Sequence, residues 1–391
     1  MAGCVLSNQN RFYAGLESTF GQVPTVTAAD RFAGTSLGIR QRVETPRRRD
    51  KTGGRTYTGA APGARRYTSF DVSAYPVVRA TPSTAPSLGP LVQAAMGATP
   101  LVFSGGAAGS GSSVNTVVFG SAHGLVKGQA FGFNGELRFV ESVSSSTSVL
   151  VNAPLTTAPT AGQTLTGAVT YFLADDLPSA SVFDYWDPST VVSRVLNGAS
   201  VDRFRVRVNA DYHELEMTGE AQDVLDSVTF VVGQGGLSNF PAEPSGTTAT
   251  LTPIPGNLGQ AWLGTPSASR FYSVTAATVE LDNDIDLRTR EFGSLTPQCA
   301  TAGLRRVTAD IDLYETDDEA SRSLYAAARN ETAIQVMFQL GETAGATIGV
   351  YLPQVVPQLP EFDDGRRILQ WRFRDSRAQG GTNDEMVVAF G

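Results

Sequence analysis

The sequence predicts a mainly β protein built from antiparallel sheets, and three observations carry that expectation. The 391 residues include 40 Gly and 21 Pro beside 41% apolar side chains, the balance of a chain whose many short elements are joined by turns. Charged residues make up only 17%, with Ser, Thr, Ala and Val prominent, which suits sheets that bury one face and rest the other on a neighbour. Period-two alternation recurs along the chain, whereas helical spacing is confined to two short stretches.

Residues 1–35 mix polar and aromatic groups without periodicity and read as a lead-in segment. Residues 38–67 then form a basic arm. Arg40, Arg42, Arg47, Arg48, Arg49, Lys51, Arg55, Arg65 and Arg66 stand there against only Glu44 and Asp50, while the rest of the chain holds 21 basic and 36 acidic groups. Such a split offers complementary surfaces to a second copy of the same chain. Pro46, Gly53-Gly54 and Pro62-Gly63 break the arm into extended pieces, and RTYTG and RRYTSFDVSAY read as a long β-hairpin, too charged to be core.

Leu88, Leu91, Val92, Ala95 and Met96 recur at helical spacing, with Pro90 in the first turn and Gly97 as the stop. The run SGGAAGSGSS at 104–113 reads as a flexible linker, and strand-like runs follow at 114–119, 130–133, 137–143, 148–151 and 169–173. Residues 98–172 are therefore expected to be a small all-β domain inserted between residues 1–97 and 173–391.

Beyond it, Phe204, Val206 and Val208 alternate with Arg203, Arg205 and Arg207, and after a turn Leu215 and Met217 oppose Glu214 and Glu216. The arginines are placed to pair across this hairpin with the glutamates. A Gly/Pro/Ser/Thr-rich connection at 233–268 precedes further half-buried strands marked by Val279 and Leu281, by Val307 to Leu313, by Ile334 to Leu340, and by Leu369, Trp371 and Phe373. Among them Thr316 and Glu319 read as a capping box for a helix with Ala320, Leu324, Ala327 and Ala328 on its apolar stripe and Arg329 in the last turn.

Catalytic and metal chemistry find little support. His123 and His213 lie far apart without cysteine or histidine at ligand spacing, and read as a turn and a strand residue. Residues 282–286, DNDID, imitate the start of a calcium loop, but Leu287 stands where glycine is needed and Gly293 where a bidentate carboxylate is needed. The Gly-rich run lacks the Lys-Ser/Thr of a phosphate loop. Sequence does not fix the separation that a glycosidase carboxylate pair requires. No enzyme activity and no cofactor are expected. Cys4 and Cys299 give no disulfide framework, and cytosolic assembly with free thiols is the simpler expectation. The opening MAGCVLSNQNRF lacks the pattern of a secretory signal, Gly3 sits one place late for myristoylation, and no apolar run is long enough to span a bilayer, so the product is expected to be soluble where it is made.

The stretches TVELDNDIDLRTREFGSL, RRVTADIDLYETDDEASRSLYAAARNETAIQVMFQLG, IGVYLPQVV and DEMVVAFG, preceded by the GRTYTGAAPGARRYTSFDVSAY arm, a helix, YFLADDLPSASVFDYW and LNGASVDRFRVRVNADYHELEMTGEAQDV, resemble the tail tube (major tail) proteins of tailed bacteriophages. The likeness covers most of residues 20–97 and 173–391 and is one of strand, helix and proline landmarks. It implies two packed antiparallel β-sheets with a flanking α-helix, subunits in rings of hexameric type, and stacked rings forming a conduit for genome DNA. It also implies a virion location after assembly in the host cytoplasm, with tape measure, tail terminator and distal tail proteins as partners. The 98–172 insertion departs from a minimal tube protein. A β-rich tail or baseplate adhesion protein that binds host glycan through that insertion is the other reading.

Three expectations follow. Glu280, Asp282, Asp284, Asp286, Asp310 and Asp312 lie opposite the apolar positions of two strands and are expected to line a net negative pore wall. Residues 98–172 are expected to fold alone and project outward, and the 38–67 arm to dock on acidic surface of an adjacent subunit.

Overall fold

A computed structural model describes residues 4–44, 50–51, 53–57, 59, 64–208, 211–246, 251–265, 267–365 and 367–391. Among these residues the protein is mainly β, with 25 strands and two α-helices, and its sheets are antiparallel. No helix among them is long and apolar enough to cross a membrane.

One run of seven strands forms the larger sheet. From one edge it passes Gly34–Glu44, Arg65–Ala74, Glu214–Ala221, the second half of Arg194–Val208, Val274–Asp282, Arg306–Tyr314 and Gln370–Ala378. A second run passes Ser269–Phe271, Gly259–Gly264, Ile334–Leu340, Ile348–Val356, Val387–Phe390, Thr164–Phe172 and Leu101–Ala107. Alternation puts Val206, Leu281, Ile311 and Phe373 of the first run and Leu263, Phe338, Val350 and Phe390 of the second into one apolar cluster. The first half of Arg194–Val208 leaves the larger sheet to pair with Ala180–Trp186 and Asp223–Asp226, and Asn10–Leu16 adds beyond Ala180–Trp186.

The helix Gly89–Met96 sits inside this core with Leu91, Val92, Ala94, Ala95 and Met96 fully buried, as its spacing requires. Gly97 ends it at φ 97°, and a Cβ there would stand 2.8 Å from the Asp176 carbonyl oxygen, so the stop is both conformational and steric. The helix Glu319–Arg329 buries Leu324, Ala327 and Ala328. Its N-cap is Asp318, not Thr316. The Asp318 carboxylate accepts from the Ser321 amide at 2.7 Å, while the Thr316 hydroxyl donates to Asp318. A carboxylate is the stronger acceptor at the positive helix end, which explains the displacement.

Three sequence expectations change at the level of elements. The aperiodic lead-in contains a core strand, because Asn10–Leu16 lies between other elements and has no solvent face to reveal alternation. The linker-like SGGA belongs to the strand Leu101–Ala107, where Gly105 at φ 97° lets the backbone approach the Leu165 carbonyl. The Gly/Pro-rich connection at 233–268 holds the strand Gly259–Gly264, with Trp262 and Leu263 buried.

Residues 98–172 carry an apolar cluster of their own, with Phe103, Phe119, Phe131, Val140 and Leu165. They also share structure with the rest. Thr164–Phe172 pairs with Val387–Phe390, Tyr171 enters the main cluster, and Leu137 and Phe139 pack with Trp262, Met337 and Tyr351. Arg138 pins this contact. Its side chain is 0% exposed and donates to Glu136, to the carbonyls of Leu137, Ala153 and Pro154, and to the side-chain oxygens of Gln339 and Gln260, while lying 5.1 Å from the Trp262 ring centroid. Burial pushes its pKa down to about 10 against the pull of Glu136.

Candidate functional site

The face of the larger sheet that points away from the core is built by the same alternation that builds the core. Val206, Leu215, Met217, Val279, Leu281, Ala309 and Ile311 go inward, so Arg203, Arg205, Arg207, Glu214, Glu216, Glu280, Asp282, Asp310 and Asp312 go outward on adjacent strands. Register then decides which charges meet. Arg205 lies opposite Glu216 on one side and Glu280 on the other, and Arg203 lies opposite Asp282.

The side chains follow this register. Arg205 Nε donates to Glu280 at 2.8 Å and Nη1 to Glu216 at 3.3 Å, and Arg207 Nε stands 3.1 Å from Glu216. Arg203 is 3.5 Å from Asp282, and Arg374 donates to Asp312. Asp310 accepts from the Asp375 amide at 2.8 Å. The Glu280 hydrogen bond raises the Arg205 pKa, and the Asp312 hydrogen bond does the same for Arg374. Exposed pairs of this kind add roughly 0.2–1 kcal/mol each, so the network sets the charge of the face more than it sets stability.

Of the six predicted acids, Glu280, Asp282, Asp310 and Asp312 thus share one face, and all but Asp310 are held by an arginine. Asp284 sits in the following turn at φ 52°, and Asp286 begins a short ribbon paired with Thr301. The calcium-loop imitation is structural: buried Asn283 donates to the carbonyls of Ala95 and Val201, tying the end of the helix Gly89–Met96 to the sheet. Among the described residues no group of three or more His, Cys, Asp or Glu side chains is arranged to hold a metal ion. The arginine partner of Asp312, Arg374, has no signal in the sequence, because the bulge between Ala309 and Ile311 shifts the register of its strand.

The basic arm is a hairpin, but its strands differ from the expected ones. Gly34–Glu44 pairs with Arg65–Ala74, and the described residues of RTYTG, 55–57 and 59, are not in a strand. The stem is also core, because Phe70, Val72 and Ala74 face inward while Tyr67, Ser69 and Asp71 face out. Arg40 lies 3.5 Å from Asp71, Arg42 stacks over Tyr67 at 5.9 Å, and Arg66 meets Asp223 at 2.8 Å. Arg65 donates to the Glu291 carbonyl at 3.4 Å, whereas Lys51 and Arg55 are exposed. Arg47, Arg48 and Arg49 lie outside the described residues. Among the described residues no strand pairs with the outer edge of Gly34–Glu44.

The histidines are separate. His123 bridges the Leu125 amide and the Ser145 carbonyl in its turn. His213 is 1% exposed, neither ring nitrogen has a hydrogen-bond partner, and it borders a cavity of about 300 Å³ shared with Arg270 and Thr275. Burial lowers its pKa. Below about pH 6.5 the unfolded imidazole takes up a proton that the buried one resists, so stability falls as pH drops through that window. Melting temperature is expected to decline between about pH 7 and 5.5, and His213→Leu to flatten the decline. An unchanged slope in the variant would assign the decline to another group.

In comparisons with known proteins, the chain matches no family model and no curated protein.

Proposed function

We propose that the protein is a non-catalytic, structural virion subunit that assembles into stacked rings, forming a phage tail tube through which genome DNA passes. The observation that carries this reading is the seven-stranded antiparallel sheet with one charged face and an edge strand, Gly34–Glu44, that no other described strand covers. Open edges of that length pair readily with another chain, and a broad polar face suits the wall of a water-filled channel. The resemblance to tail tube proteins supports the same reading. Tape measure, terminator and distal tail proteins are then its partners in the virion, and six-fold rings its assembly state.

Negative-stain microscopy of the purified protein tests this directly. Rings or tubes are expected, and discrete monomeric particles would favour the adhesion reading. Replacing Arg42, Lys51 and Arg55 with serine is expected to weaken polymerisation without lowering the melting temperature, because these side chains are exposed and each contact they make across an interface is repeated around every ring. High salt is expected to mimic the change. Polymerisation unaffected by the substitutions at low and high salt would remove the arm from the interface.

A further inference from the structure

The central strand of the charged sheet presents Arg203, Arg205 and Arg207 at alternate positions. Extended backbone spaces such side chains by about 7 Å, so the three guanidinium groups stand in a row. Rows of arginine hold nucleic-acid backbones through their phosphates without reading sequence.

Here the row is already engaged by its own sheet. Glu216 takes Arg205 and Arg207, Glu280 takes Arg205, and Asp282 takes Arg203. The three arginine side chains are 52%, 33% and 44% exposed in chain order, against 18–21% for the three carboxylates. The cations therefore stand outermost, with their counter-charges beneath and between them. A shallow depression lined by Arg205, Arg207, Thr278, Glu280 and Asp310 lies over the same strands.

We infer that this face is a latent surface for the phosphate backbone of duplex DNA, held closed by the carboxylates of Glu216, Glu280 and Asp282. The inference deepens the proposed function, on which it rests for the encounter with DNA. Mixed charge on the face neither repels a polyanion outright nor grips it, because each phosphate must displace a carboxylate already seated on the arginine. Removing carboxylates is then expected to create binding that the wild-type face lacks.

The test is fluorescence anisotropy of a labelled DNA duplex with wild type, E216Q/E280Q, and the control E315Q/E319Q, which changes net charge equally on the acidic stretch around the second helix. At about 50 mM salt the face variant is expected to bind at least about tenfold tighter than wild type, and adding Arg205→Gln and Arg207→Gln to it to abolish the gain. The slope of affinity against salt is expected to steepen by about two, one for each phosphate newly held by an arginine. An equal gain in the control would make bulk charge the cause, and no gain in a folded face variant would sink the inference, as would tight binding by the wild type. Should E216Q/E280Q fail to fold, Glu280→Gln alone is read in the same assay, with a gain over wild type that Glu315→Gln lacks, and no such gain sinks the inference. Microscopy of the wild type reads ring formation independently, so absent rings remove the proposed function, while an unchanged DNA affinity in the variants removes only this inference.

Discussion

Arg138→Met is expected to destabilise the folded protein by about 3–5 kcal/mol, the usual cost of removing one partner from a buried ion pair. The guanidinium is wholly buried, and its loss leaves the Glu136 carboxylate and the carbonyls of Ala153 and Pro154 without their donor. Glu136 keeps only the Thr156 amide and hydroxyl and a long contact to Gln260. Urea denaturation measures the effect as a lower midpoint at constant slope. Glu136→Gln in the Arg138→Met background is expected to recover part of the loss, since it removes the stranded charge and leaves a neutral acceptor. A midpoint within error of wild type would mean that water replaces the guanidinium and that the contact between residues 98–172 and the core strands is not pinned there.

Deletion of residues 97–171 with a short Gly/Ser bridge is expected to abolish the folded protein. The sequence pattern alone predicts that tube assembly survives this cut, on the view that the segment folds alone, but the packing reverses the expected outcome. The cut removes all but Phe172 of the strand Thr164–Phe172, which lies between Leu101–Ala107 and Val387–Phe390, and takes Val169 and Tyr171 from the main cluster. Each buried apolar side chain of that size contributes about 1.5–3 kcal/mol, and the open Val387–Phe390 edge adds unpaired backbone groups. Against a total stability of about 5–15 kcal/mol the loss is decisive. A narrower excision of 108–163, joining the paired Ala107 and Thr164 through an Asn-Gly turn, keeps that strand but uncovers Trp262, Met337 and Tyr351. It is expected to fold with a lowered melting temperature and to associate nonspecifically. Soluble yield and thermal unfolding by circular dichroism separate the two, and cooperative unfolding of the larger deletion would show the strand to be dispensable.

Strands with one wet face were legible because their two faces differ. Glu214 to Met217 and Val307 to Leu313 announce both their conformation and their orientation. The pairing of Arg205 with Glu216 was readable from the hairpin, since a short turn fixes the partner strand, but the pairing of Arg205 with Glu280 is a contact across 75 residues that alternation cannot specify. Strands buried on both faces, such as Asn10–Leu16 and Ala180–Trp186, gave no such contrast. Glycines misled where they serve close backbone approach: Gly105 and Gly259 sit in strands at positive φ, yet composition presents both as linker. Arg138 resembled any strand arginine, because its burial depends on Gln260 and Gln339, residues more than 120 positions away.

Val387–Phe390 is the strand on which closure of the second run waits. It fills the gap between Ile348–Val356 and Thr164–Phe172, pairing Ala389 with Thr170 and with Gly349. During synthesis at about 5–20 residues per second, roughly 10–45 s separate the emergence of Thr170 from that of Ala389. Throughout that interval the nascent chain holds an uncapped β edge beside exposed Val169 and Tyr171, a template for the wrong neighbour on the same polysome. Slowing initiation or lowering growth temperature, which thins out such neighbours, is therefore expected to raise the yield of soluble protein, because the edge stays open until Val387–Phe390 arrives to cover it.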